Sequence, residues 1–196
     1  EVIMEQTKLL FRAALIVALI AVGARIQIPL PYFDYYTLQF TFVLLGAALL
    51  PPIYAFGAVA AYVVMGLLGI PVFAGGGGIS YILRPSFGYL IGFALCAGAL
   101  SYVHQNYAVH TKKQYFLMNL LGIVIVYFFG LTYKTAILYW YLNETVDWAV
   151  LLSTAFAFDI PADIIMVAIL SLGERRIFKA LRAFSRQRKP KQMHMA

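Results

Sequence analysis

One cysteine, Cys96, occurs in 196 residues, and it lies inside an apolar run, so neither an intramolecular disulfide nor a cysteine-based zinc site can form. It reads as a small buried hydrophobe. Charge is equally scarce. Only 12% of the residues are Asp, Glu, Lys or Arg, whereas 63% are hydrophobic and the mean hydropathy is +0.83. That balance excludes a water-soluble domain of ordinary composition. A phosphate-binding loop is also missing. The glycines Gly75 to Gly78 are followed by no Gly-Lys-Ser/Thr and preceded by no strand, so they are not a nucleotide site.

What the chain does contain is a series of apolar runs. A helix of about 20 apolar residues crosses a bilayer, and the punctuation residues divide the chain into six: 9–28, 38–50, 52–69, 86–104, 115–133 and 150–173. Pro29 and Pro31 close the first, Pro51 and Pro52 part the second from the third, and Pro71 with the four glycines ends the third. The second run is short for a bilayer. The expected architecture is an all-α membrane protein of six transmembrane helices, one integral domain over 1–196, with no room for a separate soluble domain. The first run persists for about 18 residues without a small-residue cleavage pattern, unlike a cleaved signal peptide.

The positions of the charges set an expected orientation. With both termini cytoplasmic, the inner side receives Lys8, Arg12, Lys112, Lys113 and the eight basic residues from Arg175 to Lys191. The outer side receives Arg25, Arg84 and Lys134, together with Asp34, Glu144, Asp147 and Asp159, in accord with the positive-inside rule. The basic tail over 174–196 then reads as an interfacial segment held by anionic membrane lipids rather than one that binds nucleic acid. Trp140, Trp148, Tyr133, Tyr139 and Tyr141 fall at the expected outer boundary, where amphipathic rings anchor a protein.

Ionisable groups at membrane depth are costly, about 2.5 to 3.5 kcal/mol on insertion scales, and so point to function. Gln39 opens the second span, Arg84 precedes the fourth, and Asp159 and Asp163 begin the sixth, all near the outer ends. Asp159 and Asp163 are four apart and share a helical face, with Pro161 suited to a first turn. Asp159 is therefore expected as an N-cap, while Asp163, a turn deeper, is expected to contact a ligand. Arg84 has two readings, a bidentate hold on a ligand carboxylate, or an ion pair with Asp159 or Asp163 and snorkelling to headgroups. The run Gly75 to Gly78 is either a gate over the pocket or an inert turn. Ala14 and Ala18, a small-xxx-small pair on the first span, serve either internal packing or docking of another membrane protein.

Five segments carry a family resemblance: IPLP at 28–31, TLQ at 37–39, GLLGIPVFAG at 66–75, PSFGYLIGF at 85–93 and IPAD at 160–163. In that order and spacing they resemble the BioY family, the biotin-specific S components of energy-coupling factor (ECF) vitamin transporters, from about Ala14 to Leu170. The resemblance implies an ECF S-component-like bundle of six helices. Such a protein binds biotin from outside and delivers it with a transmembrane coupling subunit and two ATPase subunits, with no catalytic cofactor of its own. It also implies that the loop between the first two spans and the glycine loop cover the ligand, and that Ala14 and Ala18 face the coupling subunit. The candidate ligand contacts are Tyr36, Gln39, Phe73, Gly75, Gly76, Ser80, Tyr81, Arg84, Tyr89, Asp159 and Asp163.

This chain departs from the family pattern at Met166, where a lysine commonly follows the last aspartate by three positions, and at Arg84, where a small or polar residue usually precedes Pro85. The expectation is that the cation has moved, so that Arg84 meets the ligand carboxylate while Asp163 accepts ring N–H groups, with Phe73, Tyr81 and Tyr36 against the apolar parts. Another small carboxylated cofactor such as lipoate is the alternative ligand. An intramembrane enzyme is disfavoured, because two carboxylates one turn apart on one helix are poorly placed to flank a scissile bond. A secondary transporter is disfavoured by the lack of an internal repeat.

Overall fold

The structure, a computed structural model, describes residues 2–28, 36–107, 111–143 and 148–187. Helix α1 spans Val2–Arg25, α2 Gln39–Leu49, α3 Pro52–Leu67, α4 Phe87–Asn106, α5 Lys112–Ala136, α6 Trp148–Thr154 and α7 Ile160–Gln187. Pro29, Pro31, Asp34, Glu144, Asp147 and the last basic residues from Arg188 lie outside the described residues. The helical reading is joined by one small element that no periodicity announces: β1 (Gln27–Ile28) pairs antiparallel with β2 (Tyr36–Thr37), Gln27 opposite Thr37 and Ile28 opposite Tyr36.

Local chemistry sets the helix ends. Pro52 opens α3 at its first turn, where its missing N–H would have had no intrahelical partner, after an extended Pro51. Thr111 caps α5 in a reciprocal box, its hydroxyl accepting the Gln114 backbone N–H at 3.2 Å and the Gln114 side-chain oxygen accepting the Thr111 N–H at 3.0 Å. Among the described residues, four helical stretches are long and apolar enough to cross a membrane: Val2–Arg25, Phe87–Asn106, Lys112–Tyr141 and Ala155–Gly173. Helices α2 and α3, with 11 and 16 residues, are apolar but shorter.

One expectation fails at the last span. Asp159 does not cap a helix start: helix runs from α6 through a wide π turn at Ala155–Asp159 straight into α7, so residue 159 has helix on both sides. Pro161 explains the local widening. A proline one turn into a continuing helix cannot donate to the carbonyl four residues back and crowds it, and an extra residue in the turn relieves the clash.

Helix α4 lies at the centre, packed against α2, α3 and α5, with α1 across α2 and α3, and α7 on α5. The α4–α5 contact depends on absent side chains. A Cβ on Gly92 would press on the Val126 backbone, and one on Gly130 would overlap the Tyr89 ring. In a bilayer, where lipid tails are as apolar as leucine, such close approach is what holds helices together. Cys96, fully buried, faces Gly122 on α5. Two buried polar links add specificity: Ser101 donates to the Leu50 carbonyl, tying α4 to the end of α2, and Asn119 on α5 donates to the Ser171 hydroxyl on α7 at 3.2 Å.

Candidate functional site

A cavity of about 160 Å³ opens at the end of the bundle where α2, α4, the end of α5 and the π turn meet. Its apolar wall is Phe40, Leu90, Phe93 and Val126, and its polar side chains come from four separate stretches, 36–39, 81–89, 127–134 and 159–163. Of the residues singled out from sequence, Tyr36, Gln39, Gly75, Tyr81, Arg84, Tyr89, Asp159 and Asp163 line it. Segments distant in the chain meet there because β1–β2 folds back over the end of α1, and the segment after α3 turns in toward the same opening.

Asp163 is the polar centre. It is buried, and its two carboxylate oxygens accept hydroxyl protons from Tyr36 at 2.9 Å and from Tyr127 at 2.8 Å. Burial, followed by the neighbouring Asp163 carboxylate, raises the Tyr36 phenol well above its ordinary range, so this ring stays a hydrogen-bond donor at any physiological pH. A carboxylate offers about four acceptor positions, so two tyrosines leave capacity for donors on a ligand. Gln39, also buried, donates to the Tyr62 hydroxyl at 2.6 Å, and its oxygen accepts from Thr37 at 3.0 Å.

Two cations reach the cavity. The Arg84 guanidinium lies 5.0 Å from the centre of the Tyr81 ring and against the backbone of Gly75, where any Cβ would collide with it. Among the described residues no ion pair joins Arg84 to Asp159 or Asp163, so of its two readings the pairing with these acids is not formed. Lys134, from the last turn of α5, lines the cavity within electrostatic reach of Asp159. Met166, where the family pattern has a lysine, does not line it.

Three expected contacts fall elsewhere. Phe73 is fully buried, 5.4 Å from the Tyr62 ring and 4.5 Å from the Tyr81 ring, in a hole left by Gly66, whose Cβ would overlap it. It is a core residue behind the cavity wall. Gly76, at φ +109°, closes a tight turn by exchanging backbone hydrogen bonds with Phe73 at 2.9 and 3.1 Å. Ser80 is exposed on the 3₁₀ turn Ile79–Leu83. None of these three lines the cavity.

Tyr127 and Lys134 were missed in the sequence, although a signal existed: they are seven apart on α5, two helical turns along one face, and Gly130 lies between them on that face. Away from the cavity, Ala14 and Ala18 line an apolar groove between α1 and α3, with Leu10, Val17, Gly57 and Met65 among its other walls.

An apolar helical bundle with a small cavity of mixed polarity at one end can hold a small molecule, and comparison with known proteins identifies the kind of bundle. A crystal structure of the S-component for biotin from an ECF-type ABC transporter superposes with a TM-score of 0.66 over 89% of this chain and 93% of that one, at 24% identity. The fold is that of an ECF S-component. The BioY family model matches residues 3–183. The probable biotin transporter BioY of Lysinibacillus sphaericus is 38% identical over 179 residues, 91% of each chain. The biotin transporter BioY of Thermotoga maritima is 40% identical over 125 residues, 62% of this chain and 70% of that one. The biotin transporter BioY2 of Lactococcus lactis is 30% identical over 182 residues, 91% of this chain and 95% of that one. The chain belongs to the BioY family.

Proposed function

We propose that this chain is the membrane-embedded substrate-binding subunit for biotin uptake. It is a transport subunit and not an enzyme: the family and the names of its relatives support transport, and the cavity supports recognition without reaction. The observation that carries the reading is Asp163, a buried carboxylate with acceptor capacity to spare, facing a cavity that also holds two cations. Biotin has a ureido ring with N–H donors, an apolar bicycle and chain, and one terminal carboxylate. Asp163 accepts the ureido N–H groups, Phe40, Leu90 and Phe93 face the apolar parts, and Arg84 or Lys134 meets the carboxylate.

All six apolar helices cross the membrane in this reading, α2 and α3 within the bundle, and both termini are cytoplasmic, so that the cavity faces outward and most of the basic residues face in. The partners are an ECF transmembrane coupling subunit, docked on the groove at Ala14 and Ala18, and two ATPase subunits that supply the energy. The glycine segment covers the bound ligand; the loop between the first two spans, expected to share that role, lies outside the described residues.

The test is a titration of the purified full chain in lipid nanodiscs with biotin, lipoate and a desthio analogue, with mass spectrometry of the ligand carried through purification. Biotin binding that collapses in Asp163→Ala supports the reading. Lipoate binding that is indifferent to Asp163 replaces biotin with the other cofactor, since lipoate has no ureido donors, and it is Met166 in place of a lysine that makes this arm worth running.

A further inference from the structure

The glycine segment over the cavity is less loose than its composition implies. Three of its carbonyls, on consecutive or near-consecutive residues, are captured by side chains: Arg25 donates to Pro71, the Tyr62 hydroxyl to Val72 at 3.0 Å, and the Gln27 amide to Ala74 at 2.7 Å. Phe73, between them, is locked in the Gly66 hole. Of the three donors, Arg25 ends α1 and Gln27 lies two residues beyond it. Gln27 belongs as well to β1, whose partner strand carries Tyr36 and hence the hydrogen bond to Asp163. It also bonds the Ala24 carbonyl at 3.2 Å, which fixes its amide in place. Ala74 and Gly75, immediately beyond the captured carbonyls, are cavity wall, and Gly75 is where Arg84 rests.

We propose that Arg25 and Gln27 form a latch by which the end of α1 holds the glycine segment shut over the cavity, so that α1 sets how fast ligand escapes. They are positioning residues: neither lines the cavity, and they act through Ala74 and Gly75. The segment cannot lift as a hinge at Pro71, because its first half is pinned at three carbonyls and by an aromatic anchor. Freeing Ala74 and Gly75, beyond the Tyr62 bond and the Phe73 anchor, requires either breaking the Arg25 and Gln27 bonds or shifting the end of α1 with them. Helix α1 carries the Ala14 and Ala18 groove on its other stretch, so a partner that tilts α1 reaches the latch through one rigid helix. The inference rests on the biotin reading for its ligand, and on the structure alone for the latch.

The experiment uses the full chain in nanodiscs and tritium-labelled biotin, which keeps its carboxylate free, followed by rapid filtration. Arg25→Ala combined with Gln27→Ala is expected to speed dissociation at least about fivefold while association changes less than about twofold, the pattern of a lost closing contact. Arg25→Lys, which keeps a donor, should stay near the parent. Should the double variant fail to fold, Gln27→Glu keeps the size and removes the donor, and the same acceleration is expected. Dissociation unchanged within about twofold in every folded variant overturns the latch. A parent that binds no biotin overturns the proposed ligand instead, and the latch is then decided by amide hydrogen exchange over 74–78: faster exchange in the variants upholds it, and parent-like exchange overturns it.

Discussion

The cavity end of the bundle and the groove between α1 and α3 are built from different helices and in opposite ways. At the cavity, the proposed recognition depends on side chains that are present and held: Asp163 by two tyrosines, Gln39 by Thr37 and Tyr62, Arg84 on Tyr81 and Gly75. In the groove the side chains are small, with Ala13, Ala14, Ala18, Ala21, Gly57 and Ala61 leaving backbone close to the surface, and the proposed docking depends on what is missing. A small polar guest must be met by oriented donors and acceptors, because each one left unpaired in a buried site costs about 1 to 3 kcal/mol. A helix from another subunit needs only to come near, since in lipid its gain is packing. The difference teaches that substitutions at one end should change affinity and those at the other assembly.

The strongest test of that division is Asp163→Ala, which removes the ligand's acceptor and strands the Tyr36 and Tyr127 hydroxyls. Biotin affinity should fall at least about a hundredfold, or about 2.8 kcal/mol, by titration. Arg84→Ala should weaken it by more than about tenfold, about 1.4 kcal/mol. If Arg84→Ala has no effect while Lys134→Ala does, the carboxylate belongs to Lys134. Tyr127→Phe should cost less, roughly three- to tenfold, since Asp163 keeps Tyr36 and the ring stays in place. Smallest at the cavity is Ala14→Leu with Ala18→Leu, expected to leave biotin affinity within about twofold while co-purification with the coupling subunit is lost. A large affinity loss in that pair would erase the division between the two ends.

Much of this was legible in sequence because hydropathy and proline punctuation are local signals. The ends of α2, α3 and α4 fall within a few residues of their expected places, and four polar candidates, Gln39, Arg84, Asp159 and Asp163, do converge on one cavity. The misreadings have a common physical source, which is that packing is not local. Phe73 looks ligand-facing in a glycine loop, but the hole that Gly66 leaves for it is visible only in three dimensions. Asp159 looked like a cap because Pro161 commonly marks a helix start, whereas here a π turn lets the helix pass through the proline. Lys134 counts in sequence only as a charge on the outer side, because charge counting is blind to which way a side chain at a helix end turns, and its place on the cavity lining is visible only in the fold.

Cys96, fully buried against α5 in the middle of the bundle, has a practical consequence. The chain's only thiol is shielded from reagents in the folded state, so a second cysteine engineered on an exposed position such as Ser80 can be spin-labelled or dye-labelled without first deleting the native one. Reaction at Cys96 itself would then report unfolding, giving each preparation an internal gauge of its own integrity.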